Sequence, residues 1–107
     1  MEITDQDREL IFSHVNKETC SHILITHGTD TMINTAQRLQ SIEEKTIVLT
    51  GAMQPARFRN TDAVFNIGYA IAAAQHLTAG VYLAMNGQIF TPDAVEKNRA
   101  GAQFEAT

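Results

Sequence analysis

With 107 residues, 44% of them hydrophobic, and 8 basic against 12 acidic side chains for a formal charge of −4, the chain has the size and apolar content of one small folded domain. The mild acidity argues against a nucleic-acid binder, which carries a basic stripe, and no apolar run approaches the roughly 18 residues that cross a bilayer. A single cysteine, Cys20, excludes an internal disulfide framework. The polar start, Met1 to Asp5, is neither a signal nor a transit peptide, so a cytoplasmic domain is expected.

Thr4 followed three residues later by Asp7 predicts a capped helix start, with Leu10, Ile11 and Val15 as its buried stripe and Arg8, Ser13 and Lys17 outside. The run His22–Thr26 reads as a buried strand. His27-Gly28-Thr29-Asp30-Thr31 ends that strand and opens a second helix, on which Met32, Ile33, Ala36 and Leu39 share one face. A second strand is expected at Thr46–Thr50, then a turn-rich loop from Gly51 to Thr61 with Pro55 and two arginines. A third helix runs from about Asp62 to His76, with Val64, Ile67, Ile71 and Ala74 inside. A third strand, Gly80–Met85, meets Asn86-Gly87 and returns through Gln88–Phe90. Asn-Gly between apolar runs signals a hairpin, because both central residues of a type I′ turn need positive φ. The tail beyond Pro92 is mostly polar and is expected to be loosely held or helical. Strands alternating with helices predict an α/β domain: a three-layer, Rossmann-like parallel sheet flanked by helices, with a C-terminal β-hairpin.

Ligands of open α/β sheets bind beyond the carboxyl ends of the strands. His27–Thr31 and Thr50-Gly51-Ala52-Met53 occupy such positions. The plain reading makes Thr29 or Asp30 a helix cap and Gly28 its turn. The functional reading needs a base beside the threonine hydroxyl, and a lysine steadied by a carboxylate can serve. Lys17, Lys45 and Lys97 are the three lysines; Lys17 and Lys45 read as solvated helix ends, and Lys97 could fold back over the strand ends. His14, His22, His27 and His76 are not spaced as metal ligands. Cys20 reads as a small, half-buried hydrophobe and Arg57 and Arg59 as solvated loop charges.

Ile25-Thr26-His27-Gly28-Thr29-Asp30-Thr31-Met32 and Val48-Leu49-Thr50-Gly51-Ala52-Met53, with Asp62, Asn66 and the stretch Gly80–Asn86, resemble the N-terminal domain of bacterial-type asparaginases. The resemblance runs from about Thr4 to Phe104. It implies hydrolysis of the side-chain amide of asparagine, sometimes glutamine, by threonine-based acyl transfer without metal or cofactor. By the same resemblance Thr29 is the second active-site threonine, Lys97 its lysine partner, Asp30 the carboxylate that receives the substrate α-ammonium, and the Ala52 carbonyl a contact for the amide nitrogen; Gly28 belongs to the same binding loop.

The family's opening strand and its Thr-Gly-Gly-Thr-type loop, which carries the primary threonine nucleophile, do not occur in these 107 residues, nor does the serine that holds the substrate carboxylate. The segments Asn86-Gly87 and Glu96-Lys97-Asn98-Arg99 look closer to short single-domain relatives than to the two-domain pattern. Residues 1–107 are therefore expected to form a single, N-terminally incomplete asparaginase-type domain that carries the second half of an active site, is weakly active or inactive alone, and assembles into a homo-oligomer. The main competing expectation is a non-catalytic module that binds an amino acid or small amide at Thr29–Asp30; a fragment with no ligand is another. A nucleotide or phosphate site is disfavoured by the absence of G-x-G-x-x-G and P-loop motifs and by the aspartate in the strand-end loop.

Overall fold

A computed structural model describes residues 3–51, 63–98 and 103–107. The expected features at Ala52, Met53, Pro55, Arg57, Arg59, Asp62 and Arg99, and the side chain of Val64, lie outside the described residues. Among the described residues nine elements follow in order: α1 (Asp5–Lys17), β1 (His22–Thr26), α2 (Met32–Leu39), β2 (Thr46–Thr50), α3 (Ala63–His76), β3 (Gly80–Met85), β4 (Gln88–Phe90), β5 (Val95–Asn98) and β6 (Gln103–Ala106).

The sheet is built outward from β2, whose five residues are all buried. β1 and β3 flank it in parallel, and β4 returns antiparallel beside β3, giving the order β1-β2-β3-β4. The return turn has Asn86 at φ 54° and Gly87 at φ 69°, the pair of positive values that a type I′ turn requires. Alternation along β2 separates two cores. Ile47 and Leu49 join Met32, Ala36 and Leu39 of α2 and Val15 of α1, while Val48 joins Ala70 and Ala74 of α3. Helices thus cover both faces of a mostly parallel sheet, as the pattern of alternating elements predicts.

At the N-terminus, the Thr4 hydroxyl accepts from the Asp7 amide and the Asp7 carboxylate accepts from the Thr4 amide, a complete capping box. Hydrogen bonding from Thr4 to that carboxylate, by the backbone N–H foremost and then by the side chain, holds the Asp7 carboxyl below its ordinary range. Arg38 of α2 donates to Glu9 of α1 at 2.8 Å and lies over the Phe12 ring, so α1 is tied to α2 by charge as well as packing. The Arg38 hydrogen bond lowers the Glu9 carboxyl.

Five expectations need correction. Leu10 is 58% exposed, because α1 rests on the core through Val15, with Ile11 and Phe12 packed beside it. Ile71 is 47% exposed and Ile67 half-buried, whereas Asn66, Ala70 and Ala74 face inward: small residues let α3 lie close to the sheet. β1 is exposed at both ends and half-buried between, because among the described residues it pairs on one side only. The tail is neither helical nor loose. β5 and β6 form a second antiparallel hairpin whose Val95 and Phe104 are buried, with Phe104 against Phe90 at 6.4 Å between ring centres. Cys20, moreover, is exposed rather than half-buried.

Candidate active site

The carboxyl ends of β1 and β2 are brought together by sheet pairing that continues past the strands. The His27 amide donates to the Thr50 carbonyl at 2.9 Å, so the loop after β1 starts directly beside Gly51. The approach is close enough that a Cβ at position 51 would stand 2.2 Å from the His27 carbonyl oxygen and 3.0 Å from Met32 Cε. Any side chain there would force the two strand ends apart, which is the physical reason for glycine at this point.

The loop's turn residues do not cap the following helix. Thr31 holds the cap position of α2 and makes no side-chain cap bond. Thr29 and Asp30, two residues and one residue earlier, instead meet Lys97: its Nζ lies 2.8 Å from Thr29 Oγ1 and 2.7 Å from Asp30 Oδ1. These contacts span 68 and 67 residues, and the C-terminal hairpin creates them. Lys97 pairs with Phe104 across β5–β6 and shares a face with Val95, two residues before it. Burying Val95 and Phe104 in the core therefore turns Lys97 inward, leaving its side chain 14% exposed while Asp30 stays 64% exposed. The segment leading into β5 is pinned to α2, since Gln37 Nε2 donates to the Pro92 carbonyl at 3.3 Å and Gln40 Nε2 to Asp93 Oδ2 at 3.0 Å.

Of the residues expected at a site, the structure brings together Thr29, Asp30 and Lys97. Gly28 lies exposed in the same loop with open space where a Cβ would stand. Ala52 lies outside the described residues, although Gly51 before it is in place. Two supporting groups escape a reading by pattern. Asn66, fully buried at the start of α3, donates to the Gly51 carbonyl at 2.8 Å and accepts from the Asn86 amide at 3.1 Å, tying the ends of β2 and β3 to one side chain. The other is a chain of contacts from Arg8 to Thr35 and from Thr35 to His27, with Thr35 also fully buried. Asparagine inside an otherwise apolar stretch of α3 is a signal that could have marked the first; nothing local in the sequence marks the second. Among the described residues no group of three or more histidine, cysteine, aspartate or glutamate side chains is placed to hold a metal ion.

A hydroxyl, an amine and a carboxylate converging at the strand ends of a three-layer α/β domain form an arrangement suited to acyl transfer. The family model described as Asparaginase, N-terminal matches residues 1–106. The chain belongs to the asparaginase family and represents its N-terminal domain. A glutaminase-asparaginase of Acinetobacter glutaminasificans is 36% identical over 104 residues, covering 89% of this chain and 31% of that protein. A probable periplasmic L-asparaginase of Haemophilus influenzae is 38% identical over 84 residues, covering 74% of this chain and 24% of the other. The crystal structure of a probable cytoplasmic L-asparaginase from Campylobacter jejuni superposes with a TM-score of 0.89 at 29% identity, over 98% of this chain and 38% of that one. The chain thus spans less than two fifths of the length of each.

Proposed function

We propose that Thr29, Asp30 and Lys97 form part of a centre that hydrolyses the side-chain amide of L-asparagine to aspartate and ammonia. The observation that carries this reading is the single ammonium group within hydrogen-bond distance of both a threonine hydroxyl and a carboxylate. In its amine form Lys97 accepts the Thr29 hydroxyl proton as an oxygen, either that of Thr29 or of a water it activates, adds to the amide carbon. The proton carried by Lys97 then passes to the departing nitrogen, which leaves as ammonia; where Thr29 is the nucleophile, a water that gives its proton to Lys97 adds to the resulting ester, and that proton returns to the Thr29 oxygen as aspartate is released. Asp30 opposes the charge on Lys97, and its exposed carboxylate is placed to receive the substrate's α-ammonium. Gly28 leaves room beside that carboxylate, and the carbonyl of Ala52 is proposed as the contact for the amide nitrogen.

The 107 residues hold no Thr-Gly-Gly-Thr-type loop. This chain is accordingly proposed to supply the second half of a site and to turn over slowly by itself. Calorimetry with L-aspartate and an ammonia assay with L-asparagine test the reading together. Saturable binding is expected, weakened about 10- to 100-fold in Asp30→Ala, the loss for a hydrogen bond to a charged group. Binding with no trace of ammonia would favour a non-catalytic amino-acid module, and no binding at all would defeat both.

We also propose that the chain assembles with copies of itself. β1 offers one strand edge that no described residue pairs, and such edges attract further strands. Light scattering on the purified chain should return a mass above the 11.8 kDa of one copy; a monomer at high concentration would defeat the proposal. The Campylobacter neighbour, a probable cytoplasmic enzyme, supports a cytoplasmic setting for this chain, and the Haemophilus relative is named as periplasmic.

A further inference from the structure

His27 ends at a place where hydrogen-bond accounting leaves little freedom. Its Nδ1 lies 2.6 Å from the Gly28 carbonyl oxygen, which can only accept, so Nδ1 carries a proton. Its Nε2 lies 2.9 Å from Thr35 Oγ1, and that oxygen already accepts from Arg8 Nε at 3.2 Å. Thr35 is fully buried, and its hydroxyl hydrogen finds an acceptor in His27 Nε2. Arg8 is itself oriented by Asp5, whose Oδ1 lies 2.6 Å from Nη1.

We infer that Arg8, Thr35 and His27 form a one-directional hydrogen-bond relay that fixes His27 as the Nδ1–H tautomer and thereby positions Gly28, Thr29 and Asp30 for their ligand. Every bond in the relay runs the same way: Arg8 Nε–H to Thr35 Oγ1, the Thr35 hydroxyl to His27 Nε2, and His27 Nδ1–H to the Gly28 carbonyl. Bonds aligned in this sense polarise one another. The last one grips the peptide unit that joins Gly28 to Thr29, so the hydroxyl that meets Lys97 inherits its place from a ring held on α2 and α1. His27 and Thr35 are positioning residues here, and neither needs to touch substrate. The effect on ligand rests on the amide-hydrolase reading of the site; the relay itself does not.

Histidine ring nitrogens in the 107-residue chain, observed by long-range proton–nitrogen correlation, provide the test, with the His27 signals identified by their loss in His27→Asn. A protonated Nδ1 and an unprotonated Nε2 are expected. Thr35→Ser, which keeps the hydroxyl, should preserve that pattern; Thr35→Val should mix the two tautomers and move the backbone amide signals of Gly28, Thr29 and Asp30. His27→Asn, whose amide can still donate to the Gly28 carbonyl, should disturb those three signals less than His27→Gln, so the loop contact is tested even where Thr35→Val folds poorly. With L-aspartate as probe, Thr35→Val should bind roughly 3- to 10-fold more weakly, the range for one hydrogen bond lost net of solvent, and Thr35→Ser should match the parent. An Nε2–H ring in the parent chain, or loop signals that His27→Asn and His27→Gln displace equally, would overturn the relay. A parent chain with the expected ring pattern but no affinity for L-aspartate would overturn the reading of the site and leave the relay standing.

Discussion

Replacing Lys97 by methionine is expected to lower ammonia release from L-asparagine by about 10²- to 10⁴-fold, the range for removing a positioned proton-transfer group. Methionine keeps the length and apolar stem of the side chain and removes the amine, while pairing of β5 with β6 and burial of Val95 and Phe104 hold the backbone in place. Global stability should change little, because the lost ion pair has one largely exposed partner and such pairs contribute about 0–1 kcal/mol. Affinity for L-aspartate should not fall in parallel. The lysine ammonium and a ligand's α-ammonium share Asp30, so removing one leaves more negative potential for the other. A large loss of turnover with binding intact separates a proton-transfer role from a structural one; equal losses would make Lys97 a strut and defeat the mechanism. Lys97→Arg should fail to restore turnover, since a guanidinium retains its proton at any working pH and cannot act as the base.

The architecture was legible where one signal dominated: the Thr4–Asp7 cap, the uninterrupted apolar run of β2, the Asn86-Gly87 turn and the alternation of strands with helices. It was illegible where local signals tie. α3 is apolar on nearly all sides, so spacing could not choose its inner face, and Phe65 at 60% exposure and Ile71 lie on the outer one. The tail reads as polar because the residues between Val95 and Phe104 are mostly so, yet two long-range burials suffice to dock it as a hairpin. The candidate site divides along the same line. His27–Thr31 announces itself as a contiguous motif after a strand, whereas the lysine that meets it is 67 residues away and shares no periodicity with it. Family resemblance supplied that pairing; spacing alone offered only that Lys97 could fold back over the strand ends. Arg8 and Thr35 were harder still, because a charged residue on α1 and a threonine on α2 look like ordinary helix-surface and helix-interior positions until the ring of His27 is placed between them.

Asn66→Ala is expected to lower stability by about 2–4 kcal/mol, because it strips the half-buried Gly51 carbonyl and the amide of exposed Asn86 of a partner at about 1–2 kcal/mol each, the lower part of the range for a lost partner. In a domain of this size that corresponds to a fall in Tm of order 10–20 °C. Asn66→Asp distinguishes a polar clasp from simple loss of packing, since it keeps the volume and the oxygen that accepts from Asn86 N–H. It replaces the donor that meets the Gly51 carbonyl with a carboxylate oxygen, and two acceptors then face each other across 2.8 Å. The protonated acid can donate to that carbonyl and the ionised one cannot, so the folded state raises the pKa of this aspartate above its unfolded value of about 3.9. The sign follows: the penalty is absent below that value, where both states are protonated, and grows as pH rises through the folded pKa. Thermal melts should therefore show the gap between Asn66→Asp and the parent chain narrowing toward about pH 4, while Asn66→Ala stays low across the range. A pH-independent gap for Asn66→Asp would mean that solvent reaches the clasp. The expected convergence would show instead that one buried amide holds together the ends of β2 and β3, where Gly51 lies against His27 at the start of the loop that carries Thr29.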